Sequence, residues 1–264
     1  MTDQLRYLTA LPVYNEASHV TDVLDEVVLY ADDVLVVNDG STDGTRELLD
    51  ARGDVRVVHH DQNRGYGAAL ITAFDYAVAH GYDVLVTIDC DGQHEPQRIR
   101  HLAKACAAEV DIVSGSRYLE MEQKSSEAAP VDRRLINQTI THELNECLGL
   151  SLTDAFCGFK AYRVRALEQL DLTETGYAMP LEVWVQAAYK GLRITEIAVP
   201  LIYLDEERSF GGALDDAKKR LAHYREVIHR AIIHLRKSGE DPAAPHFDFG
   251  PCGCSQYVAD FEQC

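Results

Sequence analysis

Two carboxylates, Asp89 and Asp91, stand one residue apart in the run Asp89-Cys90-Asp91-Gly92-Gln93-His94, directly after the apolar segment Val84 to Ile88. Around a turn both can converge on one hard cation, with Gln93 or His94 near enough to join. Oxygen ligands of this kind favour Mg2+ or Mn2+ over zinc. Such a cation would bridge a nucleotide diphosphate and neutralise its charge as it leaves. Asp-x-Asp also occurs in ordinary turns, so it is the position after a buried-type strand that gives this one weight.

Another acidic residue, Asp39, follows the run Val34-Leu35-Val36-Val37 and precedes Gly40. Its carboxylate can hydrogen-bond a base or ribose, while the glycine lets backbone approach a ligand. The stretch also reads as a capping turn, because Ser41, Thr42 and Asp43 are all competent caps. Asn63-Arg64-Gly65-Tyr66-Gly67 places two glycines ahead of a helical pattern, which suits tight packing better than a phosphate cradle.

The surrounding pattern explains why these groups should meet. Tyr7 to Leu11 reads as a strand stopped by Pro12, and Ser18 as the cap of a helix carrying Val20, Val23, Leu24 and Val27. Strands follow at 34–37, 55–58, 84–88 and 111–114, alternating with helices near 47–49, over 66–80 and from Pro96 onward. Residues 118–131 read as a polar loop, followed by a helix over 132–148, an extended segment near 157–163, a helix near 181–190 and a strand at 194–199. Short apolar strands alternating with helices predict an α/β fold with a mostly parallel sheet covered on both faces. Ligands of such sheets sit beyond the carboxyl ends of the strands, where Leu11 to Glu16, Asp39 and Asp89 all fall.

Composition narrows the function. The chain has 264 residues, and 25 Lys/Arg against 43 Asp/Glu give it a formal charge of −18, which disfavours nucleic-acid binding. No apolar run approaches a membrane span and no signal-peptide core is visible. Seven scattered cysteines suit free thiols in a reducing compartment, so a cytoplasmic protein is expected.

Together the strand-end features resemble glycosyltransferase family 2, inverting nucleotide-sugar transferases with a GT-A (Rossmann-like) fold. Within that family the likeness is to dolichyl-phosphate mannose synthases and related polyprenyl-phosphate sugar transferases. It covers about residues 7–212 and rests on LPVYNE (11–16), VVNDGSTDGT (36–45), NRGYGAAL (63–70), DCDGQH (89–94), DIVSGSRY (111–118), DAFCGFKAYR (154–163) and the later Glu182 and Arg208. The resemblance implies that Pro12, Tyr14, Glu16, Val37 and Asp39 hold the nucleotide. It implies that Asp89, Cys90, Asp91 and Gln93 form the diphosphate site, with Asp89, Asp91 and Gln93 on Mg2+ or Mn2+. Arg117, Arg133 and Arg208 would face an acceptor phosphate, a task suited to the planar guanidinium fork. Of these, Asp89, Asp91, Arg117 and Arg208 would carry catalysis. Glu182 would touch the sugar, orient Arg208 or cap its helix. The implied reaction moves mannose or glucose from GDP-mannose or UDP-glucose to a polyprenyl (dolichyl) phosphate. Relatives follow the late arginine with Gly-x-Ser-Lys, whereas Arg208-Ser-Phe-Gly-Gly-Ala-Leu lacks the lysine. Many also carry membrane helices that this chain does not show.

Two rivals remain. A family 2 enzyme with a hydroxyl acceptor would need a carboxylate base such as Asp154 or Glu182. A sugar-phosphate nucleotidyltransferase would need an early Gly-rich loop bearing Arg or Lys, and residues 11–20 show none.

Beyond the transferase domain (1–212), a basic amphipathic helix is expected over 213–238 and an irregular Cys-containing tail over 239–264. Leu214, Ala217, Leu221, Tyr224, Ile228, Ala231 and Leu235 form an apolar stripe, and residues 214–237 carry seven Lys/Arg against three Asp/Glu. Such a helix suits either a membrane surface rich in anionic lipid, making the protein peripheral, or packing on its own domain or a second subunit.

Overall fold

The structure, a computed structural model, describes residues 5–107, 109–119, 131–202 and 212–237. Its strands are β1 (Tyr7–Val13), β2 (Val34–Asn38), β3 (Arg56–His59), β4 (Val84–Thr87), β5 (Ile112–Ser116), β6 (Lys160–Arg163) and β7 (Ile194–Ala198). They form one sheet in the order β3-β2-β1-β4-β6-β5-β7. All neighbouring pairs are parallel except those of β6, which runs antiparallel to both β4 and β5. The helices are α1 (Val20–Tyr30), α2 (Thr45–Asp50), α3 (Tyr66–Ala79), α4 (Ile99–Ala107), α5 (Val131–Leu148), α6 (Val164–Leu167), α7 (Met179–Tyr189) and α8 (Ala217–Lys237).

Side chains alternate across the pleat and so feed two cores. Leu8, Ala10, Leu35, Val37 and Leu85 face a layer built from α3, α5, α7 and α8. Leu11, Val13, Val34, Val36, Val84 and Val86 face α1, α2 and α4. Both faces are covered, which is why the strands read as continuous apolar runs.

Several local expectations change. β1 does not stop at Pro12: it continues to Val13, with Pro12 opposite Val37. Ala10 faces β4 and Val13 faces β2, since their carbonyls accept from Ile88 and Asp39, so Pro12 faces β4. The β4 ladder ends at Ala10, so the missing N–H of Pro12 breaks no strand pair. Ser18 does not cap α1; the cap position is His19, and no side chain bonds a helix N–H there.

The stripe of α8 is covered by the protein itself. Leu221, Tyr224, Ile228, Ala231 and Leu235 are buried in the same core as α5 and α7. This corrects the membrane and self-association readings of that stripe, and packing on its own domain is the observed outcome. What α8 exposes is its basic side, including Lys218, Lys219, Arg230, Arg236 and Lys237. No described helix is long and apolar enough to cross a membrane. The tail over 239–264 lies outside the described residues.

Candidate active site

A cavity of about 730 Å³ opens beyond the carboxyl ends of β1, β2 and β4. Its first wall is loop backbone held by polar side chains. Asn15, the one described non-glycine residue with positive φ (55°), turns the chain after β1. Its amide donates to Ser41 Oγ at 2.9 Å, Glu16 N–H donates to Thr45 Oγ1 at 2.9 Å, and Ala17 N–H to Asp43 Oδ2 at 3.0 Å. The residues read as helix caps therefore largely serve the 15–17 loop. Burial works to raise the Asp43 carboxyl, but bonds from the Thr45 hydroxyl and the Ala17 and Thr45 amides hold it below its ordinary value. Pro12, Tyr14 and Glu16 line this wall, and Tyr14 keeps an exposed ring at the lip.

Asp39 lines the same wall but is only 2% exposed. Oδ1 accepts from His60 Nδ1 at 2.6 Å and Arg64 N–H at 2.9 Å, and Oδ2 from Gly65 N–H at 2.8 Å. It therefore braces the 64–65 loop as well as facing the cavity. The glycines of that loop serve packing: a Cβ at Gly65 would lie 2.3 Å from the Thr175 carbonyl oxygen, and one at Gly67 would lie 2.6 Å from that of Glu174. Val37, assigned to the nucleotide, is fully buried in the core, so its side chain does not reach the cavity.

On the floor, Asp89, Cys90, Asp91 and Gln93 all line the cavity. Asp91 Oδ1 accepts from Gln93 N–H at 3.0 Å, closing the turn that turns both carboxylates inward. Asp89 Oδ1 accepts from the Tyr66 hydroxyl at 2.9 Å, and Oδ2 lies 3.5 Å from His94 Nε2. His94 is not a cavity residue; its Nδ1 is buried with no hydrogen-bond partner. Burial acts to raise the Asp89 carboxyl, but His94, the Tyr66 hydroxyl and the Lys160 ammonium together hold it below the usual range. Gly158 makes room for it, since a Cβ there would sit 2.0 Å from Asp89 Oδ2. The oxygen donors of Asp89, Asp91 and Gln93 fit a hard cation. Among the described residues no three His, Cys, Asp or Glu gather around one point, so substrate oxygens and water would have to complete its shell.

The opposite wall comes from helices. Arg117, just after β5, donates from Nε to Asp154 Oδ2 at 2.7 Å and from Nη2 to Oδ1 at 2.9 Å. Asp154 is fully buried and also accepts from Asn137 Nδ2 at 2.8 Å and Phe156 N–H at 3.1 Å. Burial favours its neutral form, but the Arg117 charge and these bonds outweigh it and hold the carboxyl well below the ordinary range. Arg117 therefore presents mainly Nη1 to the cavity, and most of its fork is already engaged. Arg133 of α5 lines the same wall, as do Arg220 and Tyr224 of α8.

Glu182 lies off the cavity, so its side chain does not make the sugar contact that the resemblance allows. It is 3% exposed, does not line the cavity, and accepts from Thr173 N–H, Thr173 Oγ1 and Glu174 N–H at 2.9, 2.9 and 2.7 Å. It thus pins the 173–174 segment, whose neighbour Thr175 accepts from Ala68 N–H at 3.1 Å, at the α3 end bearing Tyr66. Arg208 lies outside the described residues. Sequence reasoning gave no role to Tyr66, Gly158 or His60, and it grouped Arg220 with Lys218 and Lys219 as a basic residue flanking the stripe and meeting anionic lipid, whereas Arg220 is 3% exposed. Arg220 carried a signal, since with Tyr224, Val227 and Ala231 it repeats at spacings of 4, 3 and 4 on the buried face of α8.

Residues 9–171 match the family described as "Glycosyl transferase family 2". The undecaprenyl-phosphate mannosyltransferase of Micrococcus luteus is 33% identical over 224 residues, covering 81% of this chain and 91% of that protein. The polyprenol monophosphomannose synthase of Mycolicibacterium smegmatis is 33% identical over 212 residues, covering 76% and 78%. Among solved structures, glucosyl-3-phosphoglycerate synthase from Mycobacterium tuberculosis in complex with Mn2+, UDP-glucose and phosphoglyceric acid superposes with a TM-score of 0.63. It is 19% identical, covers 90% of this chain and 81% of that one, and so speaks to the fold alone. The sheet and its helical layers are those of GT-A glycosyltransferases.

Proposed function

As a member of glycosyl transferase family 2, this chain, we propose, moves a hexose from a nucleotide diphosphate sugar to a polyprenyl phosphate with inversion at the anomeric carbon. An acceptor phosphate oxygen forms the new bond to C1 as the bond from C1 to the diphosphate breaks, and the electron pair leaves with the nucleoside diphosphate. The acceptor is an anion at neutral pH, so no general base is required. The observation that carries this reading is the state of the two carboxylates that could serve as the base for a hydroxyl acceptor. Asp154 and Glu182 are both buried, spent on internal hydrogen bonds and absent from the cavity lining. Arg117 and Arg133 instead face the cavity from the wall opposite Asp39.

Asp89, Asp91 and Gln93 would hold Mg2+ or Mn2+, which when bound supplies charge to offset the departing diphosphate. Pro12, Tyr14, Glu16 and Asp39 would hold the nucleoside, with the Tyr14 ring offering a stacking face. Arg117, Arg133 and Arg208 would orient the acceptor phosphate, and positioning with preorganised charge accounts for the catalysis. Exposed Lys218 and Lys219 would bring this peripheral protein to the cytoplasmic face of an anionic membrane. The test is incubation with labelled GDP-mannose, UDP-glucose and related donors, each with polyprenyl phosphate or with hydroxyl acceptors. Labelled polyprenyl-phosphate sugar is expected. Product on hydroxyl acceptors alone would replace this reading with the family's other branch.

A further inference from the structure

The acceptor wall holds a buried cation that the reading above leaves unused. Arg220 lies in the first turns of α8 and is 3% exposed, yet it borders the same cavity as Arg117 and Arg133. Its Nη1 donates to the Leu214 carbonyl at 2.8 Å and its Nη2 to Asp132 Oδ2 at 3.0 Å. The ion pair is lopsided: the Arg220 side chain is 4% exposed and that of Asp132 52%. A half-exposed carboxylate is solvated and screened by water, so it offsets the field of a buried guanidinium incompletely. Burial pushes the Tyr224 phenol up to about 12, and the two charges that oppose that rise are Arg220 and Arg133. Arg133, Arg220 and Tyr224 all line the one cavity.

We propose that Arg220 binds the acceptor phosphate, adding a guanidinium from α8 to those of Arg117 and Arg133; the inference rests on the phosphate-acceptor reading. The need is visible in the geometry. Arg117 gives Nε and Nη2 to the fully buried Asp154, which already matches most of its charge, whereas the carboxylate paired with Arg220 is half-exposed. A phosphate monoester carries close to two negative charges at neutral pH. A second cation beside Arg133 makes up what the Arg117–Asp154 pair withholds. Arg220 also sits where α5 and α8 begin, so the acceptor grip is tied to the docking of α8 on the domain.

The test is steady-state kinetics with two acceptors, polyprenyl phosphate and a short-chain isoprenyl phosphate, which separates the headgroup from any membrane effect. Arg220→Met should raise the acceptor KM about 10- to 100-fold for both chain lengths, the scale of one charged hydrogen bond. Nucleotide-sugar affinity by calorimetry should stay within about twofold. Because the Arg220 fork reaches the Leu214 carbonyl, a lysine at 214 starts beside the same spot. Adding Leu214→Lys to Arg220→Met should recover most of the acceptor KM, which a purely structural arginine would not allow. If Arg220→Met does not fold, Arg220→Lys gives the reading, with an acceptor KM raised by roughly 3- to 10-fold through loss of the planar fork. An unchanged acceptor KM in a folded variant overturns the inference while leaving the proposed function standing. So does a joint rise in donor and acceptor constants that Leu214→Lys fails to reverse. A wild-type enzyme that glycosylates only hydroxyl acceptors overturns both.

Discussion

The two walls of the cavity are built by different means. The donor wall is strand ends and tight loops: Asp39 grips two backbone amides, Ser41, Asp43 and Thr45 grip three more, and glycines let the loops close on one another. The acceptor wall is side chains from α5 and α8 and from the segment after β5, held by ion pairs between distant parts of the chain. On the proposed function, a backbone-laced wall would hold a rigid, uniform nucleotide through local sequence. A wall of helix side chains can be re-tailored by single substitutions. Donor residues should thus resist exchange, while acceptor residues divide their work between binding and folding.

The largest expected effect tests that division. Arg117→Ala should cost about 3–5 kcal/mol, because it strands the buried Asp154 carboxylate, as well as weakening acceptor use. Asp154 titrates below its ordinary value in the folded protein, so its contribution is fully present above pH ~4 and is lost as pH falls through the depressed native value. Urea midpoints measured against pH should show that acid limb in wild type and a flattened one in Arg117→Ala. An unchanged midpoint would mean that the acceptor wall does no structural work.

Next in size is the donor floor. Asp89→Asn or Asp91→Asn should lower turnover by roughly 100-fold with little change in stability, the scale of one preorganised electrostatic contact. Gly158→Ala should mimic Asp89→Asn without deleting any polar group, because the new methyl occupies the carboxylate's space. Turnover that survives all three changes and a chelator would remove the metal role. A smaller effect is expected at Tyr66→Phe, where loss of the hydroxyl's bond to Asp89 should reduce turnover by about 10-fold, the worth of one hydrogen bond. The smallest lies outside both walls. Lys218→Glu with Lys219→Glu should weaken binding to anionic liposomes several-fold at low salt and leave short-chain acceptor kinetics untouched.

The same contrast governs what could be read in advance. Asp39, Asp89 and Asp91 were legible because each follows an apolar strand by one to four residues, so chemistry and element are adjacent in sequence. Tyr66 and Gly158 were not, because their partner Asp89 is 23 residues away from one and is met by the other only through the pairing of β4 with β6. The direction of β6 is invisible in four residues of mixed character, KAYR. Val37 and Glu182 stand off the cavity for a shared reason: position in a motif does not say which way a side chain points. In each case the pleat or the helix turned the side chain away from the cavity. The α8 stripe was correctly seen as apolar, but amphipathicity alone does not distinguish lipid from the protein's own core.

The antiparallel strand β6 also sets a timetable for synthesis. Residues 7–87 contain four mutually paired parallel strands, β3-β2-β1-β4, so that half can assemble as soon as it is made. β5 leaves the ribosome at Ser116 without a neighbour, because its partners are Lys160–Tyr162 and Ile194–Ala198. At ~5–20 residues per second it waits roughly 4–16 s for β7, a long exposure for a strand whose five residues end up fully covered. Arg117 cannot meet Asp154 before residue 154 has emerged, and the wall that carries Arg220 is complete only once α8 has been made. A chain stalled in that interval would show a finished nucleotide half beside an apolar strand seeking a partner, which is the species a chaperone would most often meet.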